Sequence, residues 1–287
     1  MIKLSYSAAM RYVSSPLSYY LHYIMRLRPI EASSSLVFGS AVDSGINSLL
    51  IDLRDGREPS VARAKAAFDT EFETIKATEI KYSKADFDSS LLTDFELVNG
   101  RQDVLTKLSL TRKGHLILDA YAEQVLPKLE KVLLVQHEIA LTNELGDSLI
   151  GVVDLVAQID GKTYILDNKT SSIKYSEDAA SISEQLGTYF EALKDEFKLD
   201  GVGFIVIPKN IRKKKEPRVP IEIKLGNVDE KIIEQTFQMY ENVLNGIKSG
   251  DFRCTRNCCK QPWPCPYKNY CDSNGRDLTG LKIQEKK

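Results

Sequence analysis

Cysteine is missing from the first 253 residues of this 287-residue chain, histidine occurs three times and tryptophan once. All five cysteines fall between Cys254 and Cys271. An extracellular framework spreads its bridges across the fold, so this clustering argues for an intracellular chain with a metal or cluster site, or spare thiols. No apolar stretch approaches the roughly 20 residues of a membrane span, which predicts a soluble protein with no membrane partner. Proline (10) and glycine (16) are too few for a collagenous chain. With 43% hydrophobic and 28% charged residues, the chain does not read as disordered either. Neither sign of charge prevails: 39 bases against 40 acids leave a net charge of −1. That balance argues against indiscriminate coating of nucleic acid, and leaves room for a local basic groove.

The length suits one large domain or two small ones, with ample core. The first 30 residues hold no acid and four bases (Lys3, Arg11, Arg26, Arg28), a superficial likeness to a mitochondrial presequence. Ser15-Pro16 reads better as a helix N-cap followed by proline at the first helical position. Residues 36–53 carry Leu36, Gly39, Val42, Ile46, Leu49 and Leu50 at helical spacing. Helical, charged sequence runs from 61 to 129, broken near 83–90 and at Asn99-Gly100, with Gly114 a weak break. The texture changes after Lys131. Strands are predicted at 132–141, 148–159, 162–169, 202–208 and 219–225, with helices at 183–197 and 229–248. Helices first, then β-β-β-α-β-β-α, predict an α/β or α+β fold with one mixed sheet.

Asp160-Gly161 between two strand-like runs is a strong signal for a two-residue hairpin turn. Ile159 then pairs with Lys162, and the same register sets Asp154 directly opposite Asp167. Opposed side chains on an antiparallel pair lie about 4.5–5.5 Å apart at Cβ, and like charges there are destabilising. Val152, Val156 and Ile165 share their face, while Val153, Leu155 and Leu166 fill the other, so the sheet is expected to be covered on both sides. Two such carboxylates need a shared proton or a cation. Lys169 points to the same face by strand alternation and could neutralise one of them. A divalent ion could bridge both, since Mg²⁺ is held by one or two carboxylates plus water and phosphate. Lys169 would then be left to orient or deprotonate a water and to meet charge developing on phosphate. A buried structural ion pair is the plainer alternative.

Gly151-Val-Val-Asp154, twelve residues, then Asp167-Asn-Lys169-Thr170 resembles the PD-(D/E)xK nuclease signature, and more narrowly its RecB-like branch of CRISPR-associated and phage recombination exonucleases. Gln185-Leu-Gly-Thr-Tyr189 matches that branch's Q-x-x-x-Y motif, whose two side chains share a helix face and, in the family, contact the DNA backbone or position the scissile strand. Gly39-Ser-Ala-Val-Asp43 has the spacing of the branch's G-x-x-x-H pattern but ends in Asp, either a third metal ligand or a solvated helical acid. Three carboxylates would suit Mg²⁺ or Mn²⁺ better than an imidazole would. Glu138 is a weaker fourth candidate. Cys265-Pro-Tyr-Lys-Asn-Tyr-Cys271 resembles the ending of members that hold a four-iron cluster, but Ser15 stands where their N-terminal cysteine would precede Pro16. Cys254, Cys258 or Cys259, Cys265 and Cys271 could form a self-contained iron–sulfur or Zn²⁺ site. Otherwise the segment packs through Trp263, Tyr267 and Tyr270 with free thiols, and the broken spacing weighs towards this.

The resemblance implies one nuclease domain over 1–287, with a restriction-endonuclease-like core. Its parts are a helical region (1–130), the core (131–226) with a mixed central β-sheet flanked by helices, and a C-terminal helix with a Cys-containing cap (227–287). It implies a Mg²⁺- or Mn²⁺-dependent deoxyribonuclease acting on single strands or duplex ends, in the cytoplasm of a bacterium or phage-infected cell. Recombination, repair or phage DNA processing, and a recombination or replication partner protein, follow by analogy. Asp154, Asp167 and Lys169 would be catalytic, Asp43 a further ligand, and Gln185 and Tyr189 substrate-binding. The basic run 212–218, with Arg212, Lys213 and Lys214, could line a DNA channel, or be a solvated loop. Arg11, Arg26 and Arg28 among Tyr12, Tyr19, Tyr20 and Tyr23 suggest a stacking surface for single strands, or a tyrosine core. The rival functions are a non-catalytic DNA-binding or assembly protein on the same fold, and an iron–sulfur or zinc protein centred on the cysteines.

Overall fold

The computed structural model describes residues 1–74, 79–209, 219–260 and 265–285. The basic run 212–218 and Trp263 lie outside the described residues. The first half of the chain forms β1 (Lys3–Ser5), α1 (Tyr6–Ser14), α2 (Pro16–Tyr19), β2 (Leu27–Pro29), β3 (Ala32–Ser33), α3 (Ser34–Arg54), α4 (Val61–Phe72), β4 (Ile80–Lys81), α5 (Asp94–Asn99) and α6 (Gln102–Gln124). Then follow β5 (Lys131–Thr142), β6 (Ser148–Ile159), β7 (Lys162–Ser171), α7 (Glu184–Leu193), β8 (Gly201–Pro208), β9 (Glu222–Gly226), α8 (Glu230–Lys248), α9 (Lys268–Asp272) and β10 (Leu281–Ile283). These gather into two compact units: Met1–Glu31 with Ile139–Gly151 and Ile233–Lys287, and Ala32–Glu138 with Val152–Ile232.

The larger unit is built on the hairpin. Asp160 and Gly161 both take positive φ, 50° and 71°, the geometry of a two-residue turn whose twist matches that of the strands. The register is the expected one, from Ile159 opposite Lys162 to Leu155 opposite Leu166. β7 then pairs in parallel with β8 across the α7 crossover, and β8 pairs antiparallel with β9. β5 also pairs with β6, so the sheet is mixed. Gly201 to Ile207 are all buried, as expected of an interior strand covered on both faces. α3, α4 and α6 bury Phe38, Ile46, Leu49, Phe68, Ile117 and Tyr121 in one core with Leu155, Leu166 and Ile205 of the sheet.

α3 passes the length and apolarity of a membrane span, with hydropathy 1.3 over its best window. This corrects the expectation that no stretch comes close. Half of that window is buried inside the protein and the helix carries Asp43 and Asp52, as a core helix with one polar face does.

In the smaller unit, β1 pairs in parallel with the start of β6, and β10 pairs antiparallel with β2. Ser15 caps α2 as predicted, its hydroxyl accepting from Ser18 N–H, with Pro16 at the first helical position. Tyr12 and Tyr19 are buried with Leu149, Tyr240 and Leu244. Tyr12 also donates its hydroxyl to the Asp251 carbonyl. The core reading of these two tyrosines is therefore the right one: rings this buried cannot stack on bases.

The weak helical break at Gly114 has a packing reason. α6 passes so close to α4 that a Cβ at Gly114 would lie 2.3 Å from the Phe68 ring. Gly114→Ala is expected to lower stability by about 1–3 kcal/mol through overpacking. Urea unfolding measures this, and an unchanged midpoint would contradict the contact.

Candidate active site

The hairpin ladder stops at Leu155–Leu166, one pair short of the two acids. Beyond it the Asp154 carboxylate itself accepts the Asn168 backbone N–H, at 3.0 Å from Oδ2. β7 runs on beside β8 to Ser171, so Asp167 and Lys169 are held by β8 where β6 lets go. α3 passes over this opening. A Cβ at Gly39 would sit 3.5 Å from Thr170 Oγ1, and Asp43, one helical turn on, lines the same cavity of about 480 Å³ as Asp154, Asp167, Lys169 and Gln185.

The three acids sense one another. Asp167 is 3% exposed, and burial, then the charge of Asp154, push its pKa up against the pull of Lys169. Burial likewise raises Asp154, opposed by the Asn168 N–H and by Lys169. Burial and the charge of Asp154 raise Asp43 to about 6. Lys169 Nζ lies 2.7 Å from Asp167 Oδ2 and donates to Gln185 Oε1 at 3.1 Å. Gln185 Nε2 in turn donates to the Tyr189 hydroxyl at 2.8 Å. α7, capped by the Ser183 hydroxyl, sets these two side chains one turn apart on the face towards β7. Three carboxylates against the ammoniums of Lys169 and Lys209 leave a formal −1 on the cavity lining, and the carboxylates are a donor set that fits one hard divalent cation.

With that geometry in view, the match of the PD-(D/E)XK nuclease superfamily model to residues 3–272 is decisive. The chain belongs to this superfamily. Its members generally use divalent metal ions, in keeping with the carboxylate pocket. Similar solved structures include a candidate exonuclease from Eubacterium rectale, 12% identical, covering 95% of this chain and 93% of that one with a TM-score of 0.49. Another is SSO0001, 13% identical, covering 74% of this chain and 85% of that one with a TM-score of 0.30. None of the curated proteins matches the chain.

Five residues at the site carried no signal in the sequence. Gln136 of β5 donates from Nε2 to both Asp154 Oδ1 and Asn47 Oδ1, each at 3.3 Å. Asn47 donates to Asp43 Oδ2 at 3.2 Å. Tyr121, fully buried on α6, donates to Asn168 Oδ1 at 3.2 Å, while Asn168 Nδ2 is buried without a partner among the described residues. Lys209 lines the cavity as a second cation, its pKa lowered by burial. Only the position of Asn47, one turn after Asp43, could have suggested any of them. Glu138, the weaker candidate from β5, is exposed.

The cysteines gather in the smaller unit, all as free thiols. The sulfurs of Cys258, Cys259 and Cys265 lie within 4.8 Å of one another, with Cys258 Sγ 3.6 Å from Cys265 Sγ. Cys254 and Cys271 line an adjoining cavity of about 700 Å³ with Cys259. Ser15, 1% exposed, hydrogen-bonds Cys258, so it lies beside these thiols.

The raised carboxylates fix a pH response. A folded pKa near 6 for Asp43, against about 3.8 unfolded, means that the native state holds the extra proton between those values. Stability from this group is present at low pH and lost as pH rises through that window, on the order of 3 kcal/mol by pH 7. Asp154 and Asp167 act in the same direction. A divalent ion restores the loss only where the acids are ionised. The rise in Tm on adding Mn²⁺ is therefore expected to be small at about pH 5 and larger at about pH 7.5. A gain independent of pH would contradict carboxylate ligation.

Proposed function

We propose that the chain is a divalent-metal-dependent deoxyribonuclease acting from DNA ends. The observation that carries this reading is the convergence of Asp43, Asp154 and Asp167 on one cavity, with Lys169 in contact with Asp167. These acids would hold Mg²⁺ or Mn²⁺, which when bound supplies Lewis acidity at the phosphate and lowers the pKa of a water. Asp167 holds Lys169, and Gln185 accepts its second bond, so the ammonium is aimed before substrate arrives. From there Lys169 orients the attacking water and meets the charge that develops on the phosphate oxygens. Gln185, which lines the cavity, positions the strand, and the buried Tyr189 fixes Gln185 by accepting its Nε2 hydrogen bond. Lys209 adds a second cation for the phosphate backbone. The basic run 212–218, which begins three residues further along the chain, is assigned to the same backbone on its composition alone.

On the resemblance of its motifs to the RecB-like branch, this reading assigns the enzyme to the exonucleases of recombination, repair or phage DNA processing, working in the cytoplasm as one nuclease domain. Digestion of 5′- and 3′-labelled single- and double-stranded DNA, with circular controls, tests it. Cleavage is expected to require Mg²⁺ or Mn²⁺, to begin at ends, and to fall by at least about 100-fold in both Asp154→Ala and Lys169→Ala. Unchanged cleavage in both variants removes the active-site assignment. Binding without cleavage in the wild type favours the non-catalytic DNA-binding alternative.

A second reading concerns the thiols, and the spacing of their sulfurs favours it. Four thiolates from Cys258 or Cys259, Cys265, Cys271 and Cys254 would suit an iron–sulfur cluster or Zn²⁺ without an N-terminal ligand. Metal analysis and a visible spectrum of anaerobically purified protein decide the matter. Bound metal lost in Cys265→Ser supports the site; a colourless, zinc-free wild type excludes it.

A further inference from the structure

We infer that Asn47 and Gln136 are positioning residues that hold Asp43 and Asp154 in the geometry needed to bind the ion, an inference that rests on the metal-dependent reading above. The two carboxamides form an unbroken bridge between two acids on different elements. Asn47 Nδ2 donates to Asp43 Oδ2, Gln136 Nε2 donates to Asn47 Oδ1, and the same nitrogen donates to Asp154 Oδ1. Asp154 Oδ2 is fixed from the other side by the Asn168 N–H. Both oxygens of Asp154 are thus oriented by donors that carry no charge.

The chemistry of the bridge is specific to that task. A lysine or arginine at 136 would also hold Asp154, but its charge would cancel the one that attracts a divalent ion. An acid would add a fourth repelling group and donate nothing. A carboxamide donates, accepts and leaves the negative charge of the three acids intact. Ligands oriented by such outer partners bind metal more tightly, because the ordering is done before the ion arrives.

The backbone supplies an independent observation. Gln136 has φ of 49°, and among the described residues it is the one non-glycine residue inside a strand with positive φ. Glutamine has no special tolerance of that region, so a conformation costing on the order of 1–3 kcal/mol persists there. Val132, Val135 and Ile139 are the buried positions of β5, so its alternation slips between Val132 and Val135, in the turn of strand that leads into Gln136. The strain and the amide's contacts fall on one residue, and strain held at a polar side chain aimed into a cleft is the pattern of a functional constraint.

The test separates positioning from structural support. Gln136→Gly removes the amide and relieves the positive φ, whereas Asn47→Ala removes the middle of the bridge from a helix that tolerates alanine. Direct titration of the full chain with Mn²⁺, read by calorimetry, gives affinity without any nuclease readout. Both variants are expected to bind Mn²⁺ about 10- to 100-fold more weakly than wild type. The Tm of Gln136→Gly without metal should be equal or higher, and Asp154→Ala should show no binding. Wild-type affinity in either variant overturns the inference, as does a wild type that binds no Mn²⁺. A Gln136→Gly protein with lower Tm and full affinity makes the residue structural and overturns it as well. If Mn²⁺ binds as expected but no DNA is cut, the nuclease reading fails while the positioning role stands; full affinity in the variants of an active nuclease fails the positioning role alone.

Discussion

Mutual repulsion among three carboxylates on one cavity is the constraint around which the larger unit is arranged. Asp43 arrives on a helix, Asp154 and Asp167 on neighbouring strands, and each is pushed towards its protonated form by burial. One ammonium, that of Lys169, meets them directly. The remaining compensation comes from dipoles: the Asn168 N–H, and the amides of Gln136 and Asn47. Neutral donors reduce the cost of ionised acids without removing their charge. A site so built is at odds with its own fold at neutral pH and gains most from a divalent cation.

The same constraint explains where the sheet opens. An uninterrupted antiparallel ladder would set Asp154 and Asp167 face to face and close the space between them. The ladder stops at Leu155–Leu166 instead, and β8 takes over as the support of Asp167 and Lys169 through its parallel pairing with β7. β8 can do this because it is apolar along its whole length and covered on both sides. The cysteine segment of the smaller unit poses a separate problem, with soft thiols in place of hard carboxylates. Ser15, far from that segment in the chain, hydrogen-bonds Cys258 and so lies beside its thiols.

Much of this was legible because it depends on short-range rules. The Asp160-Gly161 turn set the register, the register set Asp154 near Asp167, and strand alternation put Lys169 beside them. The one-turn spacing of Gln185 and Tyr189 likewise predicted a shared face, and their hydrogen bond bears that out. Asp43 was left between two readings, since a helix position says nothing about which side of the fold the helix lies against. The tyrosines of the first helices were left between a stacking surface and a core for a similar reason, and Tyr12 and Tyr19 prove to be core. Their alternation with arginine is visible in sequence, but their burial depends on Tyr240 and Phe252, more than 200 residues away.

The sequence by itself determined the hairpin, the paired acids with their lysine, the glutamine–tyrosine face and the shortage of cysteine outside one segment, because each follows from residue type and local periodicity. Only the tertiary structure decided that α3 brings Asp43 to the strands and that the ladder parts before the acids meet. It alone showed that β5 kinks to turn Gln136 onto Asp154. These rest on the packing of distant elements and on a strained φ that no residue pattern announces, since glutamine gives no sign of the left-handed conformation it is held in.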